Sequence, residues 1–319
     1  MHSRRAALFV MLLLAAALHD VGAQTLRDAL KARRERQQQA QSDAATAAPD
    51  GLDAAEGAAG KVPLPPGARV ERDVAYGNDP AQRLDVYIPD KAAHAPIVLM
   101  VHGGAWMLGD KANTGVVVSK VAYWLPKGYI FASVNYRMAR PPEPLDQADD
   151  VARAMAFVQK QAASWGGDAD RLVLVGHSSG AHLAALLAAD PAIAARQGAR
   201  PWLGTVALDS AALNVVAIME ARHARFYDRV FGDDRERWKR TSPLHRVAGR
   251  PQPILLVCSS RREDSCSAAR AFADKAVAAG GRAEVLPVEL NHGQLNAELG
   301  RPSGYTAGVQ AFMQSLGLP

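Results

Sequence analysis

Leu172-Val173-Leu174-Val175, then Gly176-His177-Ser178-Ser179-Gly180, then Ala181-His182-Leu183-Ala184-Ala185-Leu186-Leu187-Ala188-Ala189: this run decides the fold. Four apolar residues of Val and Leu predict a strand buried on both faces. The Ala/Leu-rich run after them consists of strong helix formers. Between the two lies Gly-x-Ser-x-Gly. A turn that sharp, from strand into helix, forces its central residue into a strained backbone conformation, and the flanking glycines make room for it. Ser178 is thereby expected at the C-terminal edge of a sheet, with its Oγ near a helix N-terminus that favours negative charge.

The same alternation extends outward from this stretch. Upstream, Val70–Tyr76 and Leu84–Pro89 read as two strands around the turn Gly77-Asn78-Asp79-Pro80, and Ile97–Val101 as a short buried strand. A helix is expected over Val116–Leu125, a strand over Tyr129–Val134, and a helix over Leu145–Ala163 ended by Gly166-Gly167-Asp168. Downstream come a strand at Trp202–Leu208, a helical stretch at Asn214–Trp238, and a strand at Pro253–Cys258. A helix over Ser267–Ala279, a strand over Ala283–Leu290 and a closing helix over Tyr305–Leu316 complete the pattern. Strands that alternate with helices imply an α/β fold with a mostly parallel sheet covered on both faces. The stretch Asn214–Trp238 is expected to supply a small cap. In such sheets the site lies at the C-terminal ends of the strands. His102, Ser178, Asp209, the Cys258–Cys266 loop and His292 all fall at such ends.

Composition sets the remaining bounds. An apolar share of 49% in 319 residues supports a sizeable core, and a net charge of +5 demands neither a nucleic-acid nor a membrane partner. Residues 1–23 read as a secretory signal. His2-Ser3-Arg4-Arg5 is a basic start, Ala6–Leu18 an apolar core shorter than the roughly 20 residues of a membrane span, and Val21-Gly22-Ala23 a cleavage site. No later run approaches a transmembrane helix, so no integral membrane segment is expected after cleavage. The expected location is periplasmic or secreted. Residues 24–62, Arg/Gln-rich and then Ala/Gly/Asp-rich without apolar periodicity, read as a flexible tether. The catalytic domain is expected over 63–319. In an exported chain the two cysteines, Cys258 and Cys266, are expected to form a disulfide. No further His or Cys completes a ligand set around them, and no metal is expected.

A serine hydroxyl needs a base to act as a nucleophile at neutral pH. Of nine histidines, only His292 follows the last strand at the correct sheet edge. Gly103 and Gly104, after the strand Ile97–Val101, let backbone N–H groups approach a substrate unobstructed. With the N–H of Ser179 they are the expected oxyanion hole. The acid is expected after Pro253–Cys258, in Ser259-Ser260-Arg261-Arg262-Glu263-Asp264-Ser265-Cys266. Asp264 is favoured over Glu263, because the disulfide would hold its loop, and Asp209 is the fallback. In the expected mechanism His292 takes the Ser178 proton, Asp264 fixes the imidazole tautomer, and water releases an acyl-enzyme.

These residues resemble a known family. Leu84-Asp85-Val86-Tyr87, His102-Gly103-Gly104-Ala105-Trp106, Gly109-Asp110-Lys111, Asn135-Tyr136-Arg137, Gly166-Gly167-Asp168 and Gly176–His182 are similar to motifs of the α/β-hydrolase superfamily. Within it they resemble the carboxylesterase branch related to hormone-sensitive lipase, feruloyl esterases and kynurenine formamidases. The resemblance covers roughly Val70 to Leu316. It implies a Ser178 nucleophile, a His292 base, an oxyanion hole from Gly103, Gly104 and Ser179, and no cofactor. One departure stands out. Relatives usually carry His-Gly after the penultimate strand and an Asp four residues beyond that His. Here Cys258-Ser259 takes the dipeptide and Arg262 the place of the Asp. The expected function is an exported serine carboxylesterase acting on a small or aromatic ester. An amidase of the formamidase kind would use the same triad. The altered acid loop motivates a third reading, a non-catalytic binding protein, against which Ser178, His292 and Gly103-Gly104 argue.

Overall fold

In the computed structural model, residues 57–138, 143–210 and 212–319 are described. The expected signal segment, and most of the expected tether, lie outside them. Eight strands form one sheet: β1 (Arg69–Ala75), β2 (Arg83–Ile88), β3 (Ala95–Val101), β4 (Ile130–Val134), β5 (Gly167–His177), β6 (Gly204–Leu208), β7 (Ile254–Ser259) and β8 (Ala283–Val288). Their spatial order is β1-β2-β4-β3-β5-β6-β7-β8. The pairs β1–β2 and β2–β4 are antiparallel and the others parallel. The described α-helices are α1 (Thr114–Trp124), α2 (Pro144–Gln161), α3 (Ser179–Ala189), α4 (Pro191–Arg196), α5 (Val215–Glu220), α6 (Arg225–Phe231), α7 (Arg235–Thr241), α8 (Pro243–Arg246), α9 (Glu263–Ala278), α10 (His292–Glu298) and α11 (Gly304–Ser315). None of the described helices is long and apolar enough to cross a membrane.

The period-2 rule of a strand explains the layers. Ile97, Leu99 and Val101 of β3, and Leu172 and Leu174 of β5, face a cluster with α2 and with Leu183, Leu186 and Leu187 of α3. Val98, Met100, Val173 and Val175 face the other side, where Val117, Val121 and Trp124 of α1 and Val309 and Phe312 of α11 cover them. All seven residues of β3 and all eleven of α3 are buried. Each such Val or Leu contributes about 1.5–3 kcal/mol by leaving water. A helix buried all round must fit against its neighbours on every face. Alanines do this on the third side of α3, where Ala181, Ala185 and Ala188 meet Leu256, Cys258 and Phe272.

Three expected elements differ. The stretch Asn214–Trp238 is not one helix but α5, α6 and the first part of α7. Asn214 and Asp234 cap new helix starts with their side chains, and Gly232, at φ 65°, ends α6. Residue His292, expected in a loop, begins α10. There Asn291 and Gln294 form a reciprocal cap, each side chain accepting a backbone N–H of the other. Helix α9 starts at Glu263, four residues before the expected Ser267, which moves Asp264 onto a helix.

The turn between β5 and α3 is crowded. A Cβ on Gly176 would run into the carbonyl of Gly180, and one on Gly180 into the carbonyls of Val101 and His102. Gly180→Ala therefore forces β3 and α3 apart. We expect a loss of about 1–3 kcal/mol in urea unfolding at unchanged m-value.

Candidate active site

Ser178 sits at φ 55° and ψ −117°, outside the regions an L-residue prefers. Its N–H donates to the Leu208 carbonyl at 2.9 Å, which ties the turn to the end of β6. The hydroxyl reaches His292: Oγ and Nε2 are 2.9 Å apart. Only 8% of Ser178 is exposed.

The imidazole's other nitrogen meets Asp209. His292 Nδ1 lies 2.7 Å from Asp209 Oδ2, so Nδ1–H donates and Nε2 is left to accept from Ser178. Asp209 follows β6 directly and also has a positive φ, 55°. Its carboxylate is fully buried and saturated with donors. Oδ1 accepts from the Ser259 N–H at 2.8 Å and from the Ser265 hydroxyl. Oδ2 accepts from His292 and from Arg262 Nη1 at 3.0 Å. Burial alone would raise the Asp209 carboxyl. The hydrogen bond and charge of His292, the charge of Arg262 and the bond from Ser265 outweigh it and hold the group well below the usual carboxylate range. For His292, burial wins over the attraction of Asp209, and the imidazole stays below its ordinary 6.5.

The geometry corrects the expectation that Asp264 pairs with His292. Asp264 stands in the first turn of α9 with a side chain 64% exposed, and Arg262 Nη2 is 3.4 Å from its Oδ2. The side chain of Glu263 lies outside the described groups. Starting α9 early turns Asp264 to solvent, while the positive φ after β6 aims Asp209 at the imidazole. The signal for this was in the sequence: Asp tolerates positive φ better than most residues, and Asp209 ends a buried strand beside the nucleophile strand.

Cys258 and Cys266 are joined, with Cα atoms 5.1 Å apart. The bridge was expected to steady Asp264; it instead brackets Ser259 and Ser265, whose donors hold Asp209 Oδ1. The Ser259 hydroxyl also donates to the Leu290 carbonyl at 2.6 Å, just ahead of His292.

On the opposite side lies the Gly103-Gly104 loop. Gly104, Ala105 and Trp106 have φ of 112°, 52° and 62°. Ser179 begins α3, so its N–H has no acceptor within the helix. His182 anchors this loop. Its Nδ1 accepts from the Trp106 indole at 3.1 Å, and its Nε2–H donates to the Thr241 carbonyl at 2.7 Å. Complete burial pushes His182 down to about 4, which keeps it neutral. The other motifs singled out in the sequence support the same loop. Asn135 accepts from the Lys111 N–H at 2.6 Å and donates to Asp110 at 2.9 Å. Arg137 forks onto Asp150, both bonds at 2.7 Å. Tyr136 donates to the His102 carbonyl at 3.2 Å and stacks on its ring. Gln147 donates to the Trp106 carbonyl at 2.8 Å. His177 reaches the His292 carbonyl at 3.0 Å.

Comparison with known proteins agrees with this architecture. The family model BD-FAE matches residues 84–198. The chain is 28% identical over 241 residues to isoprenylcysteine alpha-carbonyl methylesterase ICME of Arabidopsis thaliana, covering 68% of this chain and 55% of that one. It is 32% identical over 212 residues to esterase LipC of Mycobacterium tuberculosis, covering 60% and 50%. A rice protein named as a probable isoprenylcysteine alpha-carbonyl methylesterase is 40% identical over 119 residues, 37% of this chain and 27% of that one. The chain thus spans between about a quarter and about half of these relatives' lengths. Among solved structures, esterase B from Lactobacillus rhamnosis superposes with a TM-score of 0.66 at 18% identity, covering 90% and 93% of the two chains. A truncated carbohydrate esterase from gut microbiota gives 0.68 at 20% identity, covering 80% and 99%. The fold is that of an α/β-hydrolase. The chain is similar in sequence to carboxylic ester hydrolases over part of its length.

Replacing both Cys258 and Cys266 by alanine removes a cross-link between residues eight apart in sequence. We expect about 2–3 kcal/mol lower stability in chemical unfolding. Measured beside the reduced wild type, the variant should match it.

Proposed function

We propose that this protein is a serine carboxylesterase in which Ser178 is the nucleophile, His292 the base and Asp209 the acid. The array from Ser178 Oγ to His292 Nε2 at 2.9 Å and from His292 Nδ1 to Asp209 Oδ2 at 2.7 Å carries the reading. Neutral His292 takes the Ser178 proton as Oγ attacks an ester carbonyl, and Asp209 stabilises the imidazolium that forms. The N–H groups of Ser179 and of Gly103 or Gly104 receive the developing oxyanion, each worth roughly 3–4 kcal/mol of barrier. His292 returns the proton to the departing alcohol. Water, activated by the same base, then frees the acid. The scheme calls only on the chain's own groups and water.

The relatives' names, methylesterase and esterase, support ester hydrolysis. The aromatic cluster of Trp106, Tyr227 and Phe231, with ring centroids 5.2–6.2 Å apart, borders the oxyanion loop. Trp106 and Phe231 are buried, so the half-buried Tyr227 is the ring able to meet a substrate, and it suits a small or aromatic ester better than a charged one. We also propose export to the periplasm or medium. The signal-like residues 1–23 and the Cys258–Cys266 bridge support it.

The test is hydrolysis of p-nitrophenyl esters from acetate to decanoate, with an anilide panel alongside. Ser178→Ala should lower kcat by at least about 10⁴-fold, and Asp209→Asn by about 10³–10⁴-fold. At pH 8, Asp264→Asn should stay within about twofold of wild type. Equal loss in the Asp264 and Asp209 variants would refute the assignment of the acid, and turnover of anilides alone would make the protein an amidase.

The pH profile follows from His292. Only the neutral imidazole accepts the serine proton, and burial holds its pKa below 6.5. Activity should therefore be full above that value and fall as pH drops, with a kcat/KM midpoint below 6.5.

A further inference from the structure

Arg262 touches both members of the acid–base pair. Its Nη1 is 3.0 Å from Asp209 Oδ2 and 2.9 Å from His292 Nδ1. Both nitrogens carry hydrogen and both seek the same carboxylate oxygen, so no hydrogen bond joins them. A fixed positive charge thus lies against the ring that must itself become positive during catalysis. Arg262 has a side chain only 25% exposed. It is held from outside by Asp264 at 3.4 Å, and it follows a strand end fixed by the disulfide.

We propose that Arg262 is a positioning residue whose charge, clamped between Asp209 and Asp264, keeps His292 in its neutral, proton-accepting form under mildly acidic conditions. The proposal rests on the Ser178–His292–Asp209 reading. The guanidinium locks the carboxylate against the imidazole with a bond that no pH change in the working range removes, since arginine stays charged. In exchange it opposes protonation of the ring. Two like unit charges about 3–4 Å apart repel each other at a partly buried site. Asp209 on the ring's other flank offsets part of this.

The remaining groups around the imidazole are few. From β5, His177 lies with its ring centroid 4.6 Å away and its charge also opposes protonation of His292, while Ser178, just after β5, is neutral. From α11, the Tyr305 hydroxyl is buried and donates to the Leu295 carbonyl at 2.8 Å. From α1, Lys120 is engaged by the Asn296 carbonyl at 2.6 Å, a turn further along α10. From α6, Tyr227 lies near Arg262 and is pushed up to about 12 by burial, so it stays neutral. Arg262 and Asp209 are therefore the permanent charges in direct contact with the ring.

The decisive experiment titrates the His292 ring by NMR in wild type, Arg262→Gln and Arg262→Lys, with the resonance assigned by its loss in His292→Gln. The acidic limb of kcat/KM is followed in parallel. Removing the charge should raise the His292 midpoint by about one pH unit, a tenfold rise in the ratio of protonated to neutral ring at a given pH. The kinetic limb should move with it, and Arg262→Lys should stay near wild type. An unmoved midpoint in Arg262→Gln, or an equal shift in the Lys variant, overturns the proposal. Arg262→Met replaces the Gln variant if that one fails to fold. The NMR midpoint needs no turnover, so a protein that hydrolyses neither ester nor anilide refutes the triad reading while the charge effect is still decided. Esters hydrolysed with an unmoved limb refute the role of Arg262 alone.

Discussion

Everything at this site depends on how closely α3 passes the end of β3. The carbonyls of Val101 and His102 leave no room for a Cβ at Gly180, and Gly180 in turn leaves none at Gly176. This contact forces Ser178 to a positive φ, a conformation that costs on the order of 1–3 kcal/mol and persists only where its surroundings over-determine it. The same contact joins the serine to the loop that begins at His102. Ser178 and the Gly103-Gly104 loop are thus placed by one steric constraint between two buried elements, and the large apolar clusters on both faces of the sheet hold that constraint closed.

A second layer of order comes from buried polar groups that are fully paired. Asp209 accepts four donors and exposes nothing, which avoids the cost of an unsatisfied buried charge. Asp150 plays a corresponding part behind the oxyanion loop, where Gln82 and Arg137 saturate it. His182 stitches the two regions together: it takes the Trp106 indole proton and gives its own to Thr241. These networks fix rotamers that apolar packing alone would leave free. They also explain why polar motifs scattered from Asp110 to His182 meet around one site.

Arg262 gives the site its own character. A positive charge in contact with the base's carboxylate partner steadies the geometry and works against the imidazolium at once. The disulfide falls at the same loop and ties Ser259, next to Cys258, to Ser265, next to Cys266. Asp209 is held by donors from β7 and α9 although it follows β6. Asp209 thus draws its support from the loop that follows β7.

Local pattern and steric rules were enough to read the sheet order class, the elbow at Ser178, the glycine pair at 103–104 and the position of His292 after the last strand. Each rests on a short-range regularity: alternation, Gly at a crowded turn, or residue order along parallel strands. The choice among Asp209, Glu263 and Asp264 did not follow, because it turns on one helix start. Beginning α9 at Glu263 rather than Ser267 rotates Asp264 to solvent. The start of that helix is set by packing of Cys266, Ala269 and Phe272 against β7, a long-range contact with no local sequence signature. The breaks among α5, α6 and α7, the cap at Asn291 that starts α10 at His292, and the approach of Arg262 to the imidazole likewise belong to the tertiary structure. In each case residues distant in the chain decide where a side chain points.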